Sequence, residues 1–553
     1  MKLIANLKNV DRKATLQAGI SAQVLMENAG HHVAQAVMVN MTPQRPGVIL
    51  CGPGNNGGDG FVCARLLMET GFKHLTVVYT STQYRNEALF NMETLMQRPI
   101  TLIDAQKQET LATRAIEQAD FVVDALFGSG LSRRITGLEA NLIGRLNQRR
   151  TPITASSHLS SKNKPWVLAV DLPSGIDGAT GQCLGIAVEA DETITLASAK
   201  PGLYLFPGKH HAGRIQIADI GIPSRLIEEE DSTLRLLNVA TARACLPPRP
   251  ADGHKFTFGH VLVLAGSAEM PGAAILCAEA AMSAGPGLVT LATPKATLVQ
   301  CPLMPEIMRH PLPDVDFLTV AGADAFLDFL NKGKFAAVVL GPGLGRKPQT
   351  IEAIATVLDA LNKPNFTLPV IVDADALYAL SQQKRRLNSQ FILTPHVGEC
   401  SRLLSVDNAT IHANLADAAQ QAQQQYDCTV VLKAATSVIA TPALQPSEAE
   451  TEVLASLGMS SALQWISPFG NAGMATAGSG DSLAGIIAAM AAQRHAQGLS
   501  VAPAALIGVA LHGLAGDAAA QKLTPYAMHA CDITTHLPHA FENILTPQFN
   551  SPL

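Results

Sequence analysis

The sequence predicts two tandem three-layer α/β domains, each built on a mostly parallel sheet. Three observations carry this. Short β-branched runs alternate with helical patterns along the whole chain, the order expected of β-α-β units. The 553 residues exceed what one core ordinarily organises. Hydrophobic residues make up 47% and charged residues 15%, ample material for two cores. The first domain is placed at 1–225, a junction at 226–245 and the second domain at 246–553.

In the first domain the predicted strands lie in Val48–Cys51, Leu75–Thr80, Phe121–Gly128, Trp166–Gly175, Glu192–Ala197 and Arg214–Gly221, with helices such as Leu25–Val37 between them. The Ser/Thr/Lys-rich stretch 151–165 lacks periodicity and reads as an exposed loop. The junction holds the acidic cluster Glu228–Asp231, and LPPRPADGH follows at the start of the second domain. A second series of strands follows in His260–Ser267, Leu288–Pro294, Ala336–Gly345, Pro369–Leu377, Phe391–Glu399 and Thr429–Ser437. The most apolar region, Ser482–Ala492, reads as a buried helix, and no uninterrupted apolar run reaches the roughly 18 residues of a membrane span.

The net charge of −5 gives no basic footprint for nucleic acid or an anionic membrane. Nine scattered cysteines without a CxxC point to buried thiols in a reducing compartment. The opening MKLIANLKNVDRK has no apolar signal core, so a cytoplasmic location is expected.

The first candidate site begins at CGPGNNGGDGFVCARLL, Cys51–Leu67. A strand, a G-x-G-x-x-G turn and a helix follow one another, the context of a Rossmann-like dinucleotide turn. The following strand, however, ends in Tyr79-Thr80, where a ribose-binding carboxylate would stand. Asn55, Asn56 and Asp59 are also more than a phosphate turn requires. A tight turn using Asn as a turn former is the plainer alternative. Asp124 ends another strand, and Asp171 ends a third with Ser174 three residues on. Ligands of open α/β sheets sit beyond such strand ends. Asn56, Asp124 and Ser174 are therefore candidate oxygen ligands for a hard cation. Each Asp taken alone could instead cap a helix.

LMENAG, GPGNNGGDGFVCAR, DALFGSGL and VDLPSG, in this order, resemble the NAD(P)H-hydrate epimerase family over residues 1–225. The resemblance implies that Asn55, Asn56, Gly57, Gly58 and Asp59, with Gly128, Ser129, Gly130, Leu131, Ser132, Arg133 and Arg134, hold the hydrated dinucleotide. It further implies that Asn56, Asp124 and Ser174 ligate potassium, and that Asp171 is the substrate-binding carboxylate, assigned here as the proton-transferring group.

The second candidate site is NAGMATAGSGDSLAGIIAAM, Asn471–Met490. Main-chain N–H groups at a glycine-rich helix start attract anions. An Asp there repels phosphate, but it suits a base acting on a hydroxyl that attacks phosphorus. The alternative role for Asp481 is a helix N-cap. Lys433 follows a strand, where it either grips nucleotide phosphate or is simply solvated. His396 is read as a substrate contact in preference to a structural histidine. Asp373 and Asp375 either sit near magnesium or cap a helix.

G-[ST]-G-D opening a helix resembles the ribokinase-like superfamily. The ordered set HKxxxGHVLVLAGS, MPGAA, GPGLG, DADAL, LTPHVGE, KAATS, NAGMATAGSGD and LHGLAGD resembles the ADP-dependent NAD(P)H-hydrate dehydratase family over residues 246–553. That resemblance implies substrate contacts from Ala274, Gly343, His396 and Asp481. It implies nucleotide contacts from Lys433, Ala434, Ala435, Thr436, Ser437 and Gly480, with ADP as phosphoryl donor and magnesium as its ion. Ala434, Ala472 and Ala477 depart from the usual Gly, Pro and Gly, which bears on nucleotide affinity. The two resemblances together imply repair of hydrated NADH and NADPH, by a homo-oligomer that binds neither nucleic acid nor membrane. A ribokinase-like small-molecule kinase fused to a dinucleotide-binding domain, or a non-catalytic dinucleotide sensor, are the competing readings.

Overall fold

The computed structural model describes residues 1–150, 164–300, 302–383, 385–444 and 450–546. The chain divides into an N-terminal unit, Lys2–Ser232, and a C-terminal unit beginning at Thr233.

The N-terminal unit holds seven strands: β1 Gly47–Cys51, β2 Leu75–Tyr79, β3 Thr101–Asp104, β4 Phe121–Ala125, β5 Trp166–Val170, β6 Glu192–Leu196 and β7 Arg214–Ala218. All pair in parallel, in the order 3-2-1-4-5-6-7. Side chains alternate across such a sheet, and this alternation makes the three layers. Ile49, Val77 and Val123 face one core together with Val33 and Phe61 of the helices Ala22–Asn40 and Asn55–Glu69. Val48, Val78 and Val122 face the other, with Ile116 and Leu142 of Glu109–Gln118 and Leu138–Gln148. The strand order reverses at β1, so the β1–β4 carboxyl ends form the crevice where ligands bind in such sheets. The loop predicted at 151–165 falls largely on 151–163, outside the described residues.

The C-terminal unit has ten strands: β8 Leu234–Leu236, β9 His260–Leu264, β10 Leu288–Thr293, β11 Met308–Pro311, β12 Ala337–Leu340, β13 Val370–Val372, β14 Phe391–Leu393, β15 Thr429–Leu432, β16 Val438–Thr441 and β17 Leu463–Ile466. Their order is 11-10-9-12-13-14-15-16-17-8, and only β16 runs antiparallel to its neighbours. The boundary between the units, after Ser232, falls inside the expected junction 226–245. The remainder of that segment supplies β8, which pairs with β17, and the helix Val239–Cys245, whose Ala242 and Cys245 enter the core.

The apolar run Ser482–Ala492 lies, as expected, in a buried helix, Ser479–Ala496. A second helix, Pro503–Ala527, is long and apolar enough to cross a membrane, but 72% of its apolar window is buried inside the fold. Its apolar residues, chiefly Ala, Leu, Ile and Val, are interrupted by His512, Asp517, Gln521 and Lys522, so no unbroken apolar run in it approaches the roughly 18 residues of a membrane span. Eight cysteines among the described residues are free thiols, six of them buried.

Candidate active sites

In the N-terminal unit a cavity of about 570 Å³ opens at the β1–β4 end of the sheet. Asn55, Asn56, Asp59, Gly128, Ser129, Gly130, Leu131, Ser132, Arg133 and Asp171 line it. Gly57, Gly58 and Arg134, expected with them, do not. A Cβ on Gly57 would lie 2.0 Å from the Gly52 carbonyl oxygen, and one on Gly58 would lie 2.6 Å from Met26. These glycines let the helix Asn55–Glu69 approach its neighbours closely. Arg134 lies against Gly185. The sequence reading missed Asp11, Met26, Leu196 and Ile220, which also line the cavity.

Asp171 sits in the left-handed region with φ 68°, a conformation non-glycine residues hold only when their surroundings over-determine it. Its Oδ1 is 2.5 Å from the Lys200 ammonium and its Oδ2 accepts the Ser129 N–H at 3.0 Å. Burial would raise its pKa, but Lys200 and the main-chain donors hold it below the usual carboxylate range. Asp59 is shifted the other way: burial, then Asp171 and Asp11, push it well above that range. Asp11 is pushed up to about 6 by burial, against the pull of Lys200.

Asp124 is fully buried and accepts from Ser174 twice, N–H to Oδ2 at 2.8 Å and Oγ–H to Oδ1 at 2.6 Å. Burial pushes it up to about 6 despite these bonds. It therefore ties β4 to the loop after β5 and does not cap a helix. Asn56 is buried, and its Nδ2 has no hydrogen-bond partner.

In the C-terminal unit the helix Ser479–Ala496 is N-capped by Gly478, so Asp481 stands at the third helical position and is not the cap. Burial, then Asp373, push the Asp481 carboxyl up to about 7. Lys433 is neither solvated nor loose: its ammonium is 2.7 Å from the buried Asp373, and a Cβ on Gly480 would meet it at 3.0 Å. The lysine charge thus stands at the helix start. Thr394 Oγ donates to the same Asp373 oxygen at 2.7 Å. Asp375 accepts from Gly345 N–H at 2.8 Å and Arg346 Nε at 2.7 Å. Both carboxylates of DADAL therefore have partners within the fold.

His396 is itself a helix N-cap. Its Nδ1 accepts from Gly398 N–H at 3.0 Å, and Nε2 lies 3.3 Å from Glu399 Oε1. Burial and then Lys433 hold its pKa below the usual histidine value, so the ring is neutral with its proton on Nε2. Just over half of the side chain is exposed (54%), which leaves a ring edge for a ligand. Gly343, at φ 62°, rests on Met270 and Ala273 at the start of the helix Pro271–Ser283, and Ala274 is fully buried beside Gly266. Lys433–Ser437 turns from β15 into β16, and its Lys433 stands beside the helix start. Ala434, Ala472 and Ala477 all have negative φ, so none carries the left-handed strain that would call for glycine.

Comparison with known proteins accords with this geometry. Residues 22–202 match the model described as YjeF-related protein N-terminus, and residues 261–539 match NAD(P)H-hydrate dehydratase. The chain is 37% identical to the bifunctional NAD(P)H-hydrate repair enzyme of Moorella thermoacetica, over 98% of this chain and 96% of that one. The chain belongs to the bifunctional NAD(P)H-hydrate repair enzyme family. It is 33% identical to the same-named protein of Thermofilum pendens, over 100% of this chain and 97% of the other. Among solved structures, the ADP/ATP-dependent NAD(P)H-hydrate dehydratase of Bacillus subtilis, co-crystallised with ATP and Mg2+, is 27% identical with a TM-score of 0.46, covering 57% of this chain and all of that one.

Proposed function

We propose that the N-terminal unit interconverts the R and S forms of hydrated NADH and NADPH, and that the C-terminal unit dehydrates the S form at the expense of ADP. Full-length similarity to bifunctional repair enzymes supports the pairing of activities. The observation that carries the chemistry is the opposite tuning of two carboxylates: Asp171 held ionised in one unit, Asp481 poised at about 7 in the other. A general base is most effective with its pKa near the operating pH.

In the first site the start of the helix Asn55–Glu69 offers main-chain N–H groups to the dinucleotide phosphates, and Asp171 exchanges the proton at the hydroxylated ring. Asn56, Asp124 and Ser174 supply amide, carboxylate and hydroxyl oxygens of low total charge, which fits potassium. The unpartnered Asn56 amide supports this, because the opposite amide orientation turns an oxygen to the same point. Bound potassium would add positive charge beside the substrate oxygens.

In the second site Asp481 removes the proton from the ring hydroxyl as its oxygen attacks the terminal phosphorus of ADP. The P–O bond to AMP breaks, and Lys433 and the start of the helix Ser479–Ala496 stabilise the transferring charge. Hydroxide is a poor leaving group and a phosphate ester a better one. Loss of phosphate, with a proton from the neighbouring ring carbon, restores the reduced nicotinamide. Magnesium fits as an ion carried on the nucleotide phosphates, because Asp373 and Asp375 are already partnered. One assay tests this half: with S-hydrate and ADP, AMP, phosphate and the reduced-nicotinamide absorbance should appear in equal amounts. A stable phosphorylated product would establish a kinase instead.

A further inference from the structure

Lys200 lies outside every sequence motif singled out above. It is fully buried and does not line the cavity, yet its ammonium contacts Asp171 Oδ1 at 2.5 Å and donates to the Leu196 carbonyl at 2.8 Å. A lysine charge is kept in such a place only when it is paired and hydrogen-bonded. Leu196 N–H approaches the same Asp171 oxygen at 3.4 Å, so the anchor on Oδ1 has two donors. The other oxygen, Oδ2, lies on the Gly128–Ser129 side, where both residues line the cavity.

Three carboxyl groups converge here from different elements: Asp171 after β5, Asp11 on the helix Lys8–Ala18 and Asp59 on the helix Asn55–Glu69. Lys8 and Arg133 also line the cavity, but the ion pair to Asp171 comes from Lys200. We propose that Lys200 is the positioning residue of the first site: its ammonium fixes one oxygen of Asp171, so that the other is the one presented to the hydrated nicotinamide ring.

This rests on Asp171 being the proton-transferring group, and the experiment separates the two ideas. Epimerisation is followed in the full-length chain without ADP, starting from pure S-hydrate and resolving the R form chromatographically. Asp171→Asn should abolish it. If Asp171→Asn stays active, the assignment of Asp171 itself falls. Lys200→Met should lower kcat by about 100-fold or more, with KM changed less than about threefold. It should also move the acid limb of kcat/KM up by about 1 pH unit or more, because burial of Asp171 then goes uncompensated by its paired cation. Lys200→Gln keeps a donor without the charge and should bind hydrate with the wild-type KM while losing less kcat than the Met variant. Dehydration of S-hydrate by the other unit gives the reference rate in each preparation. Wild-type kcat in Lys200→Met, or a kcat loss without movement of the acid limb, would overturn the proposal. So would loss of hydrate binding in both Lys200 variants, which would make Lys200 a structural residue only.

Discussion

Replacing Asp481 by Asn should stabilise the C-terminal unit while abolishing dehydration. The folded carboxyl is raised to about 7 from an ordinary 3.8, chiefly by burial. A raised carboxyl pKa means the fold prefers the protonated form. The stability associated with this group is full below about pH 4, falls as pH rises toward about 7, and is flat above that. At about 1.4 kcal/mol per pH unit, the raised pKa costs the fold about 4 kcal/mol near pH 8, where the group stays ionised, and about 2 kcal/mol near pH 5, where folding must take up a proton. Asparagine removes that cost at nearly constant shape. The assay is denaturant unfolding read by Trp465, which is 1% exposed in β17, in a Trp166→Phe background so that it is the one remaining tryptophan. The Asn variant should gain stability over its parent, and the gain should grow by about 2 kcal/mol between the two pH values. A gain independent of pH, or a loss near pH 8, would refute the assignment of a strained, ionisable base at this position.

Other outcomes follow from the geometry. Gly57→Ala should destabilise the N-terminal unit by about 2–4 kcal/mol, because its Cβ would lie 2.0 Å from a main-chain oxygen; thermal unfolding measures this. Asn56→Ala should weaken potassium binding, seen as a higher half-saturating potassium concentration for epimerisation in a titration against sodium. Lys433→Ala should raise the KM for ADP by about tenfold or more and also lower stability, since it leaves Asp373 buried without its ion pair. Dehydration should rise with pH through a midpoint near 7 as Asp481 ionises, and Asp481→Asn should show no dehydration at any pH across that range.

The sequence was most legible where strands were both apolar and followed by a functional turn. β1, β4 and β5 announce themselves as Val/Ile/Leu-rich runs, and Asn56, Asp124 and Asp171 stand where such strands end. Three edge strands escaped notice for physical reasons, and the buried β16 and β17 were missed as well. β3 is TLID, half exposed at the sheet edge; β11 is MRHP, largely exposed; β8 is only LRL. Their strand character comes from pairing with a neighbour, a contact distant in sequence. The junction at 226–245 does contain the boundary between the units, but its acidic start gave no sign of β8, which completes a sheet by pairing with β17. At the sites, Gly57 and Gly58 do not line the cavity, and their lack of a side chain lets the helix Asn55–Glu69 pack closely. Lys200 was invisible because its partner Asp171 is 29 residues away in the chain and joins it only across β6. His396 combined two roles that the sequence had set against each other, capping a helix while offering a ring edge.

Incubation of the chain with both hydrate epimers, with and without ADP, is the most direct test of the two units working in sequence. With ADP, both epimers should disappear completely and reduced nicotinamide should appear in an amount equal to their sum. Without ADP, the epimers should equilibrate and no reduced nicotinamide should form. Consumption of the S form alone, leaving R untouched in the presence of ADP, would contradict the claim that the two units work in sequence.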